Sequence, residues 1–192
     1  MSQLRDYHYP DHYRQFLGAV TEHEMTVLHD EGLYRHLKFA KPGTMIWSWE
    51  IVTWPGSLAI RGDIGLGLVF TRLEDMLQFF DDGQPDGWIN PSYWGEKLSR
   101  GTRDVEIFSG KKFVEWVREE LDSTGRKLSD IEWDSIESVY STELAVEVLN
   151  EIELDWDYED PETWKDWDHH FLLALHAILW SAKKYHNETK ET

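Results

Sequence analysis

From Leu58 to Phe70 the even positions read Leu58, Ile60, Gly62, Ile64, Leu66, Leu68 and Phe70, and the odd ones Ala59, Arg61, Asp63, Gly65, Gly67 and Val69. Alternation with period two over such a length predicts extended chain with one face buried, folded back at Gly62-Asp63 into a hairpin. Leu58, Ile60, Leu66, Leu68 and Phe70 then point into the core, and Arg61 and Asp63 share the less apolar face. Two earlier runs carry the same signal. Residues 33–39 (LYRHLKF) end at Lys41-Pro42-Gly43, and residues 44–54 (TMIWSWEIVTW) end at Pro55-Gly56. Both ends are turns in which proline presets one corner, and at Pro55-Gly56 glycine supplies the positive φ of a type II turn. In the second run Trp47 and Trp49 lie two apart, which predicts a shared strand face. Connections this short predict an antiparallel meander of three or four strands.

On either side of these runs the period changes to that of a helix. Residues 10–31 read as one helix, opened by Pro10-Asp11, carrying Tyr13, Phe16, Leu17 and Val20 on one face and stopped by Gly32. After the strands, residues 74–80, 111–121 and 135–149 each show apolar residues at helical spacing, with Ile136, Val139, Tyr140, Leu144 and Val148 forming the stripe of the third. Residues 81–98 are rich in turn signals. A final helix starts at Asp160-Pro161 and runs through Trp164, Trp167, Phe171, Leu175 and Ile178 to Ala182. The expectation is a single α+β domain over 1–192: an antiparallel meander of three or four strands flanked by an N-terminal helix and packed against C-terminal helices. Its sheet-rich part covers about 33–72 and its helical part about 73–186.

Composition narrows the function classes. A chain of 192 residues suffices for one sizeable core, and it holds no apolar run of membrane-spanning length. The polar N-terminus lacks the apolar stretch of a secretory signal, which predicts a soluble protein that stays in the cytoplasm where it is made. Cysteine is absent, so disulfides, thiolate nucleophiles and cysteine-held metals are excluded. The net charge is −18, and residues 128–168 concentrate it: fifteen Asp/Glu stand there against Lys165 alone, a net −14. Such a field repels phosphate backbones and membrane surfaces, so direct nucleic acid binding and membrane binding are not expected. A basic protein surface is an admissible partner.

The candidate chemistry is sparse. Arg61 and Asp63, with His36 and Glu50 on neighbouring strands, make a candidate polar cluster on the exposed sheet face. Catalysis there needs an acid/base pair with separated pKa values, and the plainer reading is a cross-strand ion pair. The glycines Gly62, Gly65 and Gly67 lack the Lys-Ser/Thr and following helix of a phosphate loop. They mark a bulge, or a place where another backbone or ring comes close. Asp166, His169, His170 and His176 are expected on the last helix, Asp166 and His170 four apart, but no complete metal-ligand pattern accompanies them. No catalytic residue, metal or cofactor is therefore assigned. In residues 150–168 carboxylates interleave with apolar residues, which marks Glu151, Glu153, Asp155, Trp156, Asp157, Glu159 and Asp160 as a candidate partner-binding surface with aromatic anchors; the plainer reading is a solvated charged rim around a packed segment.

The stretches MTVLHDEGLYRHLKFAKPG (25–43), TWPGSLAIRGDIG (53–65), FTRLEDMLQFF (70–80), INPSYWGEKL (89–98) and ALHAILWSAKKY (174–185) together resemble a family of uncharacterised proteins carried by tailed bacteriophages and prophages. The likeness covers nearly the whole chain outside a variable middle. Its most specific parts are His36-Leu37 with Pro42-Gly43, and Thr53-Trp54-Pro55-Gly56. Two features depart from it: Ala182-Lys183-Lys184 stands in place of a glycine-containing helix end, and Ile64-Gly65-Leu66 is more apolar than the family's turn. The resemblance implies an accessory protein acting in a bacterial cytoplasm and carries no catalytic residue over. Three readings stay open. The first is a binder of a host protein, such as a counter-defence inhibitor that mimics nucleic acid; the second is a small ligand-binding protein or enzyme using the Arg61/Asp63 face; the third is a virion component.

Overall fold

The computed structural model describes residues 9–65, 67–156 and 159–190. The chain forms two compact units, one from the residues up to Asp104 together with those from Asp168 on, the other spanning Val105–Trp167.

The first unit is built on a five-stranded antiparallel meander: β1 (Glu24–Glu31), β2 (Tyr34–Ala40), β3 (Trp49–Trp54), β4 (Ser57–Gly62) and β5 (Leu68–Thr71), hydrogen-bonded in sequence order. Helix α1 (Pro10–Val20) precedes it, and α2 (Met76–Phe80), α3 (Pro91–Gly95) and α7 (His169–Lys190) follow, the last in chain order after the elements of the second unit. The fold is α+β. The alternation at 57–62 fits the burial: Leu58 and Ile60 are fully buried and face Phe70 and Leu68 of β5, while Arg61 stays outside. Leu68 lies on the core side but is only half-buried, because β5 is the sheet's edge. Leu66 falls outside the described residues. Gly62 has φ +119°, and a Cβ there would come within 2.5 Å of the Ser48 carbonyl oxygen, so a second backbone does approach closely at this glycine.

At three places tertiary contacts override local pattern. The predicted helix 10–31 ends at Val20, and residues 24–31 form strand β1 instead. Tyr13, Phe16, Leu17 and Val20 sustain helical spacing only that far. Beyond them β-branched Thr26 and Val27 gain backbone partners on β2, and Gly32, at φ +62°, is the hairpin turn rather than a helix stop. In 44–54 only Trp49–Trp54 is strand. Trp47 adopts φ +59° in the preceding loop, so Trp47 and Trp49 share no strand face. The last helix begins at His169, not at Asp160-Pro161: residues 161–164 make one 3-10 turn, and Lys165–Trp167 pair as strand β7 with β6 (Glu106–Phe108). Asp168 then caps the helix, accepting from the Phe171 amide at 3.0 Å.

The second unit holds β6, α4 (Gly110–Thr124), α5 (Asp130–Glu137), α6 (Thr142–Glu151), the 3-10 turn and β7. Phe113, Val117, Leu121, Ile136, Val148, Leu149 and Trp164 form its core. The expected helix 135–149 is two helices. Ser129 caps the first with a reciprocal Glu132 box and Ser141 caps the second, and side-chain caps of this kind nucleate new helices rather than extend old ones. Tyr140 falls in the break and is 81 % exposed instead of joining an apolar stripe.

Candidate functional site

The sheet's outer face carries the even residues of β2 and β3 and the odd residues of β4. Glu50 stands directly opposite Arg61 on β4 and diagonally from His36 on β2. Arg61 donates to Glu50 Oε2 from Nε (3.1 Å) and Nη2 (2.7 Å), and His36 Nε2 donates to the same oxygen at 3.0 Å. The Arg61 and His36 hydrogen bonds hold the Glu50 carboxyl below its ordinary range. The structure thus brings His36, Glu50 and Arg61 together. Asp63 is not with them: its Oδ2 accepts from the Trp47 amide at 2.9 Å and pins the loop before β3. Arg61 is 71 % exposed and the cluster lies flat on the sheet. A shallow hollow of about 520 Å³ adjoins it, lined by His29, Tyr34, His36, Val52 and Trp54 among others. In this flat cluster the Glu50 carboxyl is held down rather than raised, so it stays an ionised acceptor for its two partners.

Next to His36 on strand β2, Arg35 faces the other way and belongs to a second, buried cluster. Its Nη1 and Nη2 donate to both oxygens of Asp75, each at 2.9 Å, and its Nε donates to the Tyr185 hydroxyl at 3.2 Å. Tyr185 in turn donates to Asp30 at 2.9 Å. Asp30 reaches this face because Leu28 is an extra residue in β1: the register slips between Val27 and His29, and the strand beyond turns its faces over. Burial alone raises the Asp75 pKa, but the Arg35 fork and the Leu77 and Gln78 amides outweigh it, and the carboxyl ends below its usual range. This network ties β1, β2, α2 and α7. No sequence signal points to it, since Arg35 lies 40 residues from Asp75 and 150 from Tyr185.

In the second unit, the residues marked as a partner surface divide. Glu151, Glu153, Asp155 and Asp160 are exposed, while Ile152, Leu154 and Trp164 between and after them are buried in the unit's core. Trp156 is half-buried, its indole N–H donating to Asn150 at 3.0 Å. Glu159 accepts from the Trp116 indole at 3.1 Å and from Thr163, and Asp160 caps the 3-10 turn, so these two carboxylates also have internal duties. Asp157 lies outside the described residues. The indoles therefore serve packing, and the exposed apolar residues of the unit include Tyr140, which leaves the stripe its spacing predicts, and Ile131, 79 % exposed on α5. The unit Val105–Trp167 carries nineteen Asp/Glu against six Lys/Arg, a net −13 out of the chain's −18.

No family model, curated protein or solved structure matches this chain. Among the described residues no group of three or more His, Asp or Glu is placed to hold a metal ion, and no helix is long and apolar enough to cross a membrane. The expected Asp166/His170 pair on one helix face does not form, because Asp166 lies in β7 and the helix starts after it.

Proposed function

We propose that the protein acts by binding another protein, with the acidic unit Val105–Trp167 as its contact surface and a basic protein surface as its target. The observation that carries this reading is the arrangement of residues 151–155: Ile152 and Leu154 turn inward to make the core, and Glu151, Glu153 and Asp155 stay at the surface. A surface field of one sign steers a partner of the other. Tyr140 and Ile131 add exposed apolar area to the same unit, as interface anchors require. The resemblance to phage-carried proteins supplies the setting, an accessory protein in a bacterial host; the acidic field suits a host protein whose basic surface engages nucleic acid.

The test is capture of partners from host lysate by the tagged protein, followed by a titration of the captured partner at several salt concentrations. Affinity should fall with rising salt. The triple variant Glu147→Gln, Glu151→Gln, Glu153→Gln, at three exposed carboxylates, should slow association and flatten that salt dependence while leaving stability equal or slightly raised. Salt-independent affinity, or an unchanged on-rate in the variant, overturns the reading.

A further inference from the structure

In the first unit a cavity of about 640 Å³ opens between α1, the loop after α2 and the C-terminal half of α7. It is independent of the acidic unit. Its floor is aromatic: Tyr13 from α1, with His176 and Trp180 from α7. Along α7 the residues from Phe171 to Leu179 are all buried, and His176 is the single polar side chain in that run, 1 % exposed. Neither of its ring nitrogens has a hydrogen-bond partner among the described groups. Burial, and secondarily the nearby His12, drives its pKa down to about 3, so the ring is neutral and offers one donor and one acceptor. An apolar side chain of similar size would suit this packing better, because each unmet buried hydrogen bond is costly. The Tyr13 ring lies over the imidazole, centroids 5.2 Å apart, and presses on Gly87, where a Cβ would come within 2.4 Å of it. Tyr13 thus packs on the imidazole as part of the same lining.

The walls are ionic but paired. Lys183 holds Asp86 at 3.0 Å and donates to the Gln84 carbonyl at 2.6 Å; Asp81 is taken by His186 at 2.8 Å; Lys184 holds Glu188 at 2.8 Å. Three carboxylates stand against two lysines, and each of these charges has a partner within the wall, so no cation is left free to hold an anion, while donors and acceptors lie beside aromatic faces. Groups that both donate and accept, in a molecule with an apolar ring face, match that lining. Its volume lies in the roughly 300–1,000 Å³ range of small-molecule sites. The geometry points to a binding site for a neutral polyhydroxylated molecule, a mono- or disaccharide, packed against Trp180 beside the Lys184 ammonium that lies over the indole, and hydrogen-bonded to the Lys183–Asp86 wall and Asn187, with one hydroxyl reaching His176 when Tyr13 turns aside.

Calorimetric titration and saturation-transfer NMR on the full chain test this with glucose, N-acetylglucosamine, maltose and cellobiose as probes, and inorganic phosphate and spermidine as charged counterparts. At least one sugar should bind saturably and the charged probes should not. His176→Phe should weaken that sugar by about tenfold or more, and Asn187→Ala, at the solvent end of the helix, should weaken it without disturbing the fold. Should His176→Phe fail to fold, the Asn187 variant alone decides between the outcomes. No saturable binding by any sugar, preference for phosphate or spermidine, or undiminished binding in the folded variants overturns the proposal.

Discussion

Arg35 and His36 are neighbours on one strand and point to opposite faces of one sheet, and each belongs to an ion cluster. On the outer face, His36, Glu50 and Arg61 make three hydrogen bonds in water's reach. On the inner face Arg35, with its side chain only 10 % exposed, is clamped by Asp75 and Tyr185. The bond lengths are alike, but their consequences differ, because the worth of an ion pair depends on what happens when one member is removed. Outside, water replaces the lost partner. Inside, the remaining charge is stranded in a medium that solvates it poorly. The comparison also separates function from architecture: polar clusters of similar chemistry on one strand pair can be a solvated rim on one side and a structural tie on the other.

The sharpest way to break this contrast is Arg35→Met, which leaves Asp75 without its fork and Tyr185 without a donor. We expect a loss of about 3 kcal/mol in the unfolding of the first unit, read by chemical denaturation. A loss below about 1 kcal/mol would place the inner cluster on a par with the outer one.

Acid should expose the buried polar groups next. His176 is depressed from an unfolded value of 6.5 to about 3, so the unfolded chain binds a proton that the folded one refuses. Its contribution is present above pH 6.5 and is lost as pH falls toward 3, amounting to about 2–3 kcal/mol by pH 4.5 at 1.36 kcal/mol per unit. Asp75, also depressed, adds a loss of the same sign only below about pH 4, its ordinary range. Comparing wild type with His176→Leu between pH 7 and 4.5 isolates the imidazole: the variant should lose less stability on acidification, and parallel curves would contradict the assignment.

At the turn between β3 and β4, Gly56 has φ +80° with open space around its missing Cβ. Gly56→Val should therefore cost about 1 kcal/mol or more through backbone strain alone, measurable as a lowered melting temperature without change in partner binding. Smallest of all should be Arg61→Ala on the outer face: below about 1 kcal/mol, and weaker still at high salt. A larger effect there would mean that something covers the outer face in solution.

How much of the molecule is legible in its sequence follows from the range of the interactions. The alternation from Leu58 to Phe70 predicts buried Leu58, Ile60 and Phe70 and an outward Arg61, since strand geometry repeats every two residues whatever it packs against. The apolar stripe at Phe113, Val117 and Leu121 predicts α4 for the same reason, with a period of 3.6. Charge concentration needs no folding at all to be counted. The break at Tyr140 escapes the periodicity because apolar spacing alone cannot show that Ser141 begins a new helix, although its capping position is itself a local signal.

Other features have no local signal. Strand β1 exists because β2 lies beside it, a pairing that overrides the helical reading of residues 21–31. Asp30 joins Arg35 because one extra residue in β1 turns the strand over, and Asp75 and Tyr185 arrive from two helices far along the chain. His176 reads as one histidine among several on a helix surface until α1 covers it. Chain-local geometry, turn chemistry and net charge were determined by the sequence on its own, because they depend on neighbours a few residues apart. Which polar groups are buried, and which partners they then must have, was decided only by tertiary structure, because burial is a property of surfaces brought together across the whole unit.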